Sequence, residues 1–328
     1  MSKISRRTFN ASLPAAIGTG LISVRSARAQ SYATRDVMFV CAFAAGSGAD
    51  ITVRFFAEKM RPLLGRNVIV ENRVGALGNI ATEYVARSKP DGHTLYVTSA
   101  GVLAANEHIL KTPTVDVTHA LQVFGTINKS PYMISVRNDS PYKSMAELTA
   151  AMKEKGDQAT YGFAAGGAVK VVGALYLEKA GLKAVEIAYR ASFDYLNDLA
   201  SGKIDFVIAD NVFAVTQERQ NRMRVLAVST PQRIQAAANY PTMTELGYPM
   251  SVVGWWAGLV PSGTPRPIID ELNKLLGEVV SSEDGKKFLA SIASDPWLQT
   301  PEQGQAFMRD QIKDWGEFVR IANIEKQG

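Results

Sequence analysis

The chain has 328 residues, 46% of them hydrophobic and 20% charged, with a mean hydropathy of −0.03. These values exclude a disordered, collagen-like or membrane-embedded protein. The formal charge of +5 lies entirely in residues 1–29, which carry Lys3, Arg6, Arg7, Arg25 and Arg28 and no acid. Taking those five from 36 basic residues leaves 31, equal to the 31 acids, so the rest is formally neutral. Without a basic stretch it has no phosphate-backbone footprint, and no nucleic-acid partner is expected.

Residues 1–29 read as an export signal. Arg6-Arg7 precede an apolar run from Ala11 to Val24, and Ala27-Arg28-Ala29 has the small-x-small pattern of a signal-peptidase site. Ser5–Phe9 resembles the twin-arginine motif, with Asn10 where Lys is common, and the mild apolarity of the run suits that route. The run is shorter than the ~20 residues that span a bilayer. Cleavage after Ala29 would take 29 of the 328 residues and leave a periplasmic chain starting at Gln30, 299 residues long. A single core seldom grows that large, so two lobes are expected. Cys41 is the only cysteine, so an internal disulfide, a Cys-based metal site and a dithiol couple are all excluded. It sits in an apolar run and reads as a buried small hydrophobe.

In chain order, Val37–Phe43 reads as a buried strand and Asp50–Leu64 as a helix, with Ile51, Phe55, Phe56, Met60, Leu63 and Leu64 at helical spacing. Val68–Val70 is strand-like, Asn79–Arg87 helical and Leu95–Thr98 strand-like. Strand–helix pairs follow at Thr160–Phe163 and Val169–Lys179, Val185–Ala188 and Phe193–Ala200, and Phe206–Ala209 and Val212–Glu218. Val225–Val228 adds a strand. Ser144 with Glu147 and Thr242 with Glu245 spell capping boxes, and Thr264-Pro265 and Thr300-Pro301 pair an N-cap with a first-turn proline. The fold class is α/β, with two lobes that each contain a mixed, mainly parallel sheet flanked by helices. Tyr132–Val136 and Val252–Val260 are the candidate crossings. One lobe then takes about 31–131 plus 252–328, the other, inserted, about 132–251, and a cleft lies between them.

Three loops have the chemistry of an anion site. Phe43, Ala44, Ala45, Gly46, Ser47 and Gly48 join the first strand to the first helix, where free amides and bare backbone let an anion approach. The loop lacks the third glycine of a dinucleotide fingerprint, since Ile51 stands there, and the Gly-Lys-Ser/Thr of a P-loop. Ala164, Ala165, Gly166, Gly167 and Ala168 repeat the device in the inserted lobe, and Thr98, Ser99 and Ala100 add hydroxyl donors after the third strand. Two facing helix starts would suit an anion charged at both ends, and open α/β sheets bind ligands at strand C-termini.

Enzyme signatures are sparse. His93, His108 and His119 lack HExxH spacing, and His93, after a Pro-Asp-Gly turn, reads as solvent-facing. Ser140–Lys143 fits S-x-x-K, yet its K-T-G and S-D-N partners are missing. Asp205 and Asp210 flank a strand and read as caps or edge residues; Trp255-Trp256 read as core or as a stacking platform. No catalytic residue, metal site or cofactor is expected.

Phe43–Asp50, Val68–Arg73, Gly75–Ile80 (GALGNI) and Pro90–Leu95 resemble the periplasmic solute receptors of tripartite tricarboxylate transporters, also called Bug or TctC receptors. The likeness continues through Tyr161, Ala188–Arg190, Gly202–Asp205, Ala209–Asn211, Leu226–Ser229 and Pro261–Pro265. It implies a type II-like periplasmic binding fold, a small carboxylate held between the lobes without catalysis, and delivery to an integral-membrane permease by a monomeric receptor. A receptor reporting to a signalling system would have the same cleft, and a secreted α/β hydrolase is the remaining alternative. Within the matched motifs Tyr189, Arg190 and Asp210 join the candidate site, with Lys170 where a histidine is common. The first loop departs from the usual FPAGGGTD at Ala44, Ser47 and Ala49, and the second has lost its usual serines and asparagine. Those departures point to a mono- or dicarboxylate with an apolar, aromatic body as well as to the di- and tricarboxylates of the family.

Overall fold

The computed structural model of the chain describes residues 32–113, 115–164 and 167–326, so the export signal read from residues 1–29 lies outside the described residues. The first lobe opens with β1 (Val37–Cys41), α1 (Gly48–Leu64), β2 (Val68–Asn72), α2 (Asn79–Ala86) and β3 (Thr94–Ser99). A π-helical turn at Gly101–Ala105 follows, then α3 (Asn106–Ile109), α4 (Val117–Ala120) and the long β4 (Leu121–Ser130). The chain continues through β5 (Tyr132–Arg137), α5 (Met145–Lys155), β6 (Ala159–Ala164), α6 (Gly167–Ala180) and β7 (Ala184–Tyr189). Next come α7 (Ser192–Ala200), β8 (Phe206–Asp210), α8 (Asn211–Arg219) and β9 (Met223–Val228). It ends with β10 (Gly254–Pro261), α9 (Arg266–Ser281), α10 (Glu283–Ser291), β11 (Asp295–Pro296) and α11 (Pro301–Ile321).

The strands form two sheets, β11-β4-β10-β3-β1-β2 and β7-β6-β8-β5-β9. Leaving out β11, both follow one order: second, first and third strand, an antiparallel strand, then one more that runs with the first three (β2-β1-β3-β10-β4 and β7-β6-β8-β5-β9). Phe39 of β1 faces Val70 and Leu95 in parallel register, and Gly258 of β10 faces Val97 and Gly125 in antiparallel register. The α/β two-lobe architecture of mixed, mainly parallel sheets expected from the sequence is present: β1–β4 run in one direction and β6–β9 in one direction, with β10 and β5 set against them. Among the described residues four pairings are parallel, β1–β2, β1–β3, β6–β7 and β6–β8, and five are antiparallel. The reason is that β10 and β5 each enter the middle of a sheet from the opposite direction.

Strand chemistry follows exposure. β1, β8 and β10 are apolar runs without alternation because helices cover both faces. α1 turns Val53, Phe56, Ala57, Met60 and Leu64 inward; Ile51 and Leu63, placed on that face by spacing, are exposed instead. Phe55 stacks on Phe288 of α10 at 3.9 Å. Cys41 is buried, which pushes its thiol up to about 11.

The two sheets join at Pro131, between the end of β4 and the start of β5. The returning segment is tied to that junction by Ser229, which is fully buried. Its Oγ donates to Val252 O (2.6 Å) and accepts the Tyr132 amide (3.0 Å), while its own amide donates to Tyr132 O (3.0 Å). One hydroxyl therefore couples both crossings.

Two of the four capping signals, Ser144 and Thr300, act as read, and Ser47 adds a cap not read from the sequence. Ser47, Ser144 and Thr300 accept from backbone amides three residues on. Two do not start helices where expected. Thr242 and Glu245 exchange their hydrogen bonds (3.1 and 3.2 Å), yet they close a turn, because Gly247 takes φ 86° and the chain leaves through Pro249. Thr264 spends its hydroxyl on Pro261 O (2.7 Å), and the N-cap moves to Pro265. His93 is buried rather than solvent-facing: Tyr32 packs edge-on at 5.7 Å and the Thr34 amide donates to Nε2 at 3.2 Å.

Candidate functional site

A cavity of about 650 Å³ lies between the two sheets, within the usual 300–1,000 Å³ of ligand pockets. Its wall is built from the C-terminal ends of β1, β3, β6, β7 and β8 and from the crossings. Phe43, Ala44, Ser47, Gly48, Ser99, Ala164, Gly167, Ala168, Arg190 and Asp210, all expected from the sequence, line it. Ala45, Gly46, Thr98, Ala100, Lys170 and Tyr189 do not; Ala165 and Gly166 lie outside the described residues.

The first loop is rigid for a local reason. Asp50, 2% exposed, accepts from the Gly46 amide (2.8 Å), Arg54 Nε (2.8 Å) and Asn72 Nδ2 (2.8 Å). Burial alone would raise its carboxyl, but Arg54, Asn72 and the Gly46 amide outweigh that and hold it below the usual carboxylate range. Asn72 also donates to Phe43 O (2.9 Å), and the Ser47 amide donates to Ala44 O (3.2 Å). The Gly46 and Ser47 amides are thus used internally. Those of Gly48 and Ala49, in the first turn of α1, meet no acceptor among the described residues and are free for an anion.

Sequence reasoning missed the neighbouring wall, Val74–Gly78. Gly75, Ala76, Leu77 and Gly78 all have positive φ (136°, 45°, 54° and 96°). The left-handed region costs a non-glycine residue about 1–2 kcal/mol, so Ala76 and Leu77 persist only because the surroundings fix them. Asn106 Nδ2 holds Leu77 O at 2.7 Å, and the Gly78 amide donates to Gly75 O at 2.8 Å. Glycine is required at 78, where a β-carbon would stand 2.9 Å from Val102 Cγ2. The spacing of Gly75 and Gly78 was the only local signal of this turn.

In the other lobe, Arg190 follows β7 and is exposed on the cavity wall with no ion pair or hydrogen bond among the described residues. Lys170 is paired with Glu186 (2.9 Å), and the Tyr189 hydroxyl donates to Asp198 (2.9 Å), so both point elsewhere. Asp210 is the N-cap of α8, its Oδ1 accepting the Phe213 amide at 2.9 Å, and burial raises its carboxyl. Asp205 has an edge role instead, paired with Lys155 and accepting the Thr160 amide (2.9 Å). Tyr195 is fully buried on the wall; its hydroxyl finds no partner of normal geometry among the described residues, with Asp210 and Ser192 its polar neighbours. Trp255 and Trp256 are both buried, the core role weighed for them, and both line the cavity, Trp256 tilted 42° against Phe43 at 5.8 Å.

The lobes touch at both ends of the cavity. A β-carbon on Gly48 would stand 2.7 Å from Val212 Cβ and 2.9 Å from Asp210 Oδ1; one on Gly101 would stand 3.2 Å from Ala168 Cβ. Asn211 Nδ2 donates to Ile292 O and to Ser294 Oγ (3.0 Å).

Two α/β lobes of one strand order, joined by crossing strands around a cavity at strand C-termini, define a solute-binding protein fold. The chain belongs to the tripartite tricarboxylate transporter receptor family, whose model matches residues 52–324. Protein BugT of Bordetella pertussis is 28% identical over 295 residues, which cover 89% of this chain and 90% of that protein. The solved periplasmic binding protein BugD is 30% identical with a TM-score of 0.82, covering 90% of this chain and 100% of that one. An R. palustris protein solved with adipate is 27% identical with a TM-score of 0.84, covering 90% and 99%. Among the described residues no helix is long and apolar enough to cross a membrane.

Proposed function

We propose that this protein is a periplasmic receptor that captures a small carboxylate, a di- or tricarboxylate or an aromatic acid, between its lobes and delivers it to a tripartite-type membrane permease. The lobes comprise about 31–131 plus 252–328, and 132–251. The observation that carries this reading is one cavity offering both the Arg190 guanidinium and the Gly48 and Ala49 amides at the start of a 17-residue helix, all without partners among the described residues. Adipate in the similar R. palustris protein supports the ligand class. The receptor acts as a monomer, with no cofactor and no catalytic step. Residues 1–29 direct export, so replacing Arg6 and Arg7 by Lys should leave uncleaved precursor in the cytoplasm; normal periplasmic yield would point to the general secretory route.

A thermal-shift screen tests the ligand class, since a ligand at 100 times its Kd adds ~2.7 kcal/mol of stability. Carboxylates should raise Tm and their amides and neutral sugars should not. A sugar or a cationic amine as the sole stabiliser would overturn the reading.

A further inference from the structure

Resting on the carboxylate-receptor reading, we infer that the ligand is a monocarboxylate with an aromatic-sized apolar body and one neutral hydroxyl-type group, rather than a di- or tricarboxylate. The first observation is charge. Of the residues lining the cavity, Arg190 is the one cation and Asp210 the one acid among the described residues. Lys170 cannot be recruited without breaking its pair with Glu186 (2.9 Å), and Asp50 and Arg54 are committed to each other (2.8 Å). A single carboxylate satisfies Arg190. A second would need the Gly48 and Ala49 amides, yet Asp210 stands at that place, its Oδ1 2.9 Å from where a Gly48 β-carbon would lie. Two carboxyl groups there would repel in a water-poor wall, and neither could be paired with a cation.

The second observation is the wall. Phe43, Leu77, Tyr132, Val169, Tyr195 and Trp256 give a broad apolar and aromatic lining to about 650 Å³, a room for a ring rather than for a short, fully charged chain. The third is the unused polarity. The free Gly48 and Ala49 amides are donors, and the Asp210 carboxyl beside them, its Oδ1 2.9 Å from the Gly48 β-position, is an acceptor on the same wall. A hydroxyl on the ligand, donor and acceptor at once, matches that pair, whereas a carboxylate can only accept.

Calorimetric titration of the purified protein with 4-hydroxybenzoate, terephthalate, adipate, citrate and 4-hydroxybenzamide tests this. 4-Hydroxybenzoate should bind about tenfold or more tighter than the di- and tricarboxylates, and its amide should bind far more weakly. Arg190→Ala should weaken 4-hydroxybenzoate by about tenfold or more, and Asp210→Asn should narrow the deficit of terephthalate by relieving repulsion. Because that ratio is taken on one variant, a partial folding defect does not mimic it. Adipate or citrate binding tighter than 4-hydroxybenzoate would overturn the inference and leave the carboxylate reading intact. So would a ratio unmoved by Asp210→Asn. Equal binding of acid and amide, or no binding of any acid, would instead overturn the reading itself.

Discussion

Replacing Gly48 by Ala should lower ligand affinity while leaving the unliganded protein at least as stable. The added β-carbon would lie 2.7 Å from Val212 Cβ and 2.9 Å from Asp210 Oδ1, both contributed by the opposite lobe. Ordinary contact begins near 3.4 Å, so the lobes must part by 0.7 Å at that point. A hydrogen bond of about 2.9 Å stretched by that much no longer qualifies as one. A ligand bridging the lobes then loses one charged hydrogen bond, ~1.5–3 kcal/mol, or roughly 10- to 150-fold in Kd. At the first position of α1, where φ is not positive, the same change lowers the entropy of the unfolded chain and favours folding by about 0.4–1 kcal/mol. The two effects have opposite signs, which separates a closure defect from a folding defect. Calorimetric titration with the best carboxylate, and thermal unfolding without it, read them independently. Unchanged affinity would refute close lobe approach as a requirement for binding; a drop in unliganded Tm would mean that Gly48 serves the fold instead. Gly46 is the useful contrast. It has φ 78°, no atom near its β-position and an amide already given to Asp50, so Gly46→Val should act through turn strain.

Ser229→Ala leaves the Tyr132 amide and Val252 O without their buried partner, and should cost ~1–3 kcal/mol in urea unfolding; a change within about 0.5 kcal/mol would show that the crossings are held otherwise. Lys170→Ala removes a half-exposed ion pair with Glu186, worth ~0–1 kcal/mol, and should leave carboxylate affinity unaltered; a tenfold loss would place Lys170 in the site. Asp50 titrates below its ordinary value of 3.8 in the folded protein. Its contribution is therefore present above that pH and lost as pH falls through the lower, folded value. Asp50→Asn should flatten the acid limb of the stability curve below about pH 4, and an acid limb as steep as that of the unsubstituted protein would contradict this.

What could be read from the sequence was what is decided locally. The first loop was legible because its small residues sit next to each other between a strand and a helix, and the buried strands because both faces demand apolar side chains. What escaped was decided at a distance. The left-handed Ala76 and Leu77 carry no signature of their own; Asn106, 29 residues on, fixes them. The antiparallel strands β4 and β10 pair across more than a hundred residues, so which strand runs against the others has no local cue. Lys170 and Arg190 looked equivalent as cations near the second loop. Glu186 on the adjacent strand decides between them by pairing with Lys170, while Arg190 has no ion pair among the described residues. His93 looked exposed because its turn is, until Tyr32 and Thr34 fold over it.

A crystal structure with the tightest-binding carboxylate tests the central claim most directly. We expect the ligand inside the cavity, its carboxylate within hydrogen-bonding reach of Arg190 and its body touching both lobes, at Phe43 and Trp256 on one side and Tyr195 on the other. A carboxylate seated elsewhere, or in the cavity with Arg190 turned to solvent, would contradict it.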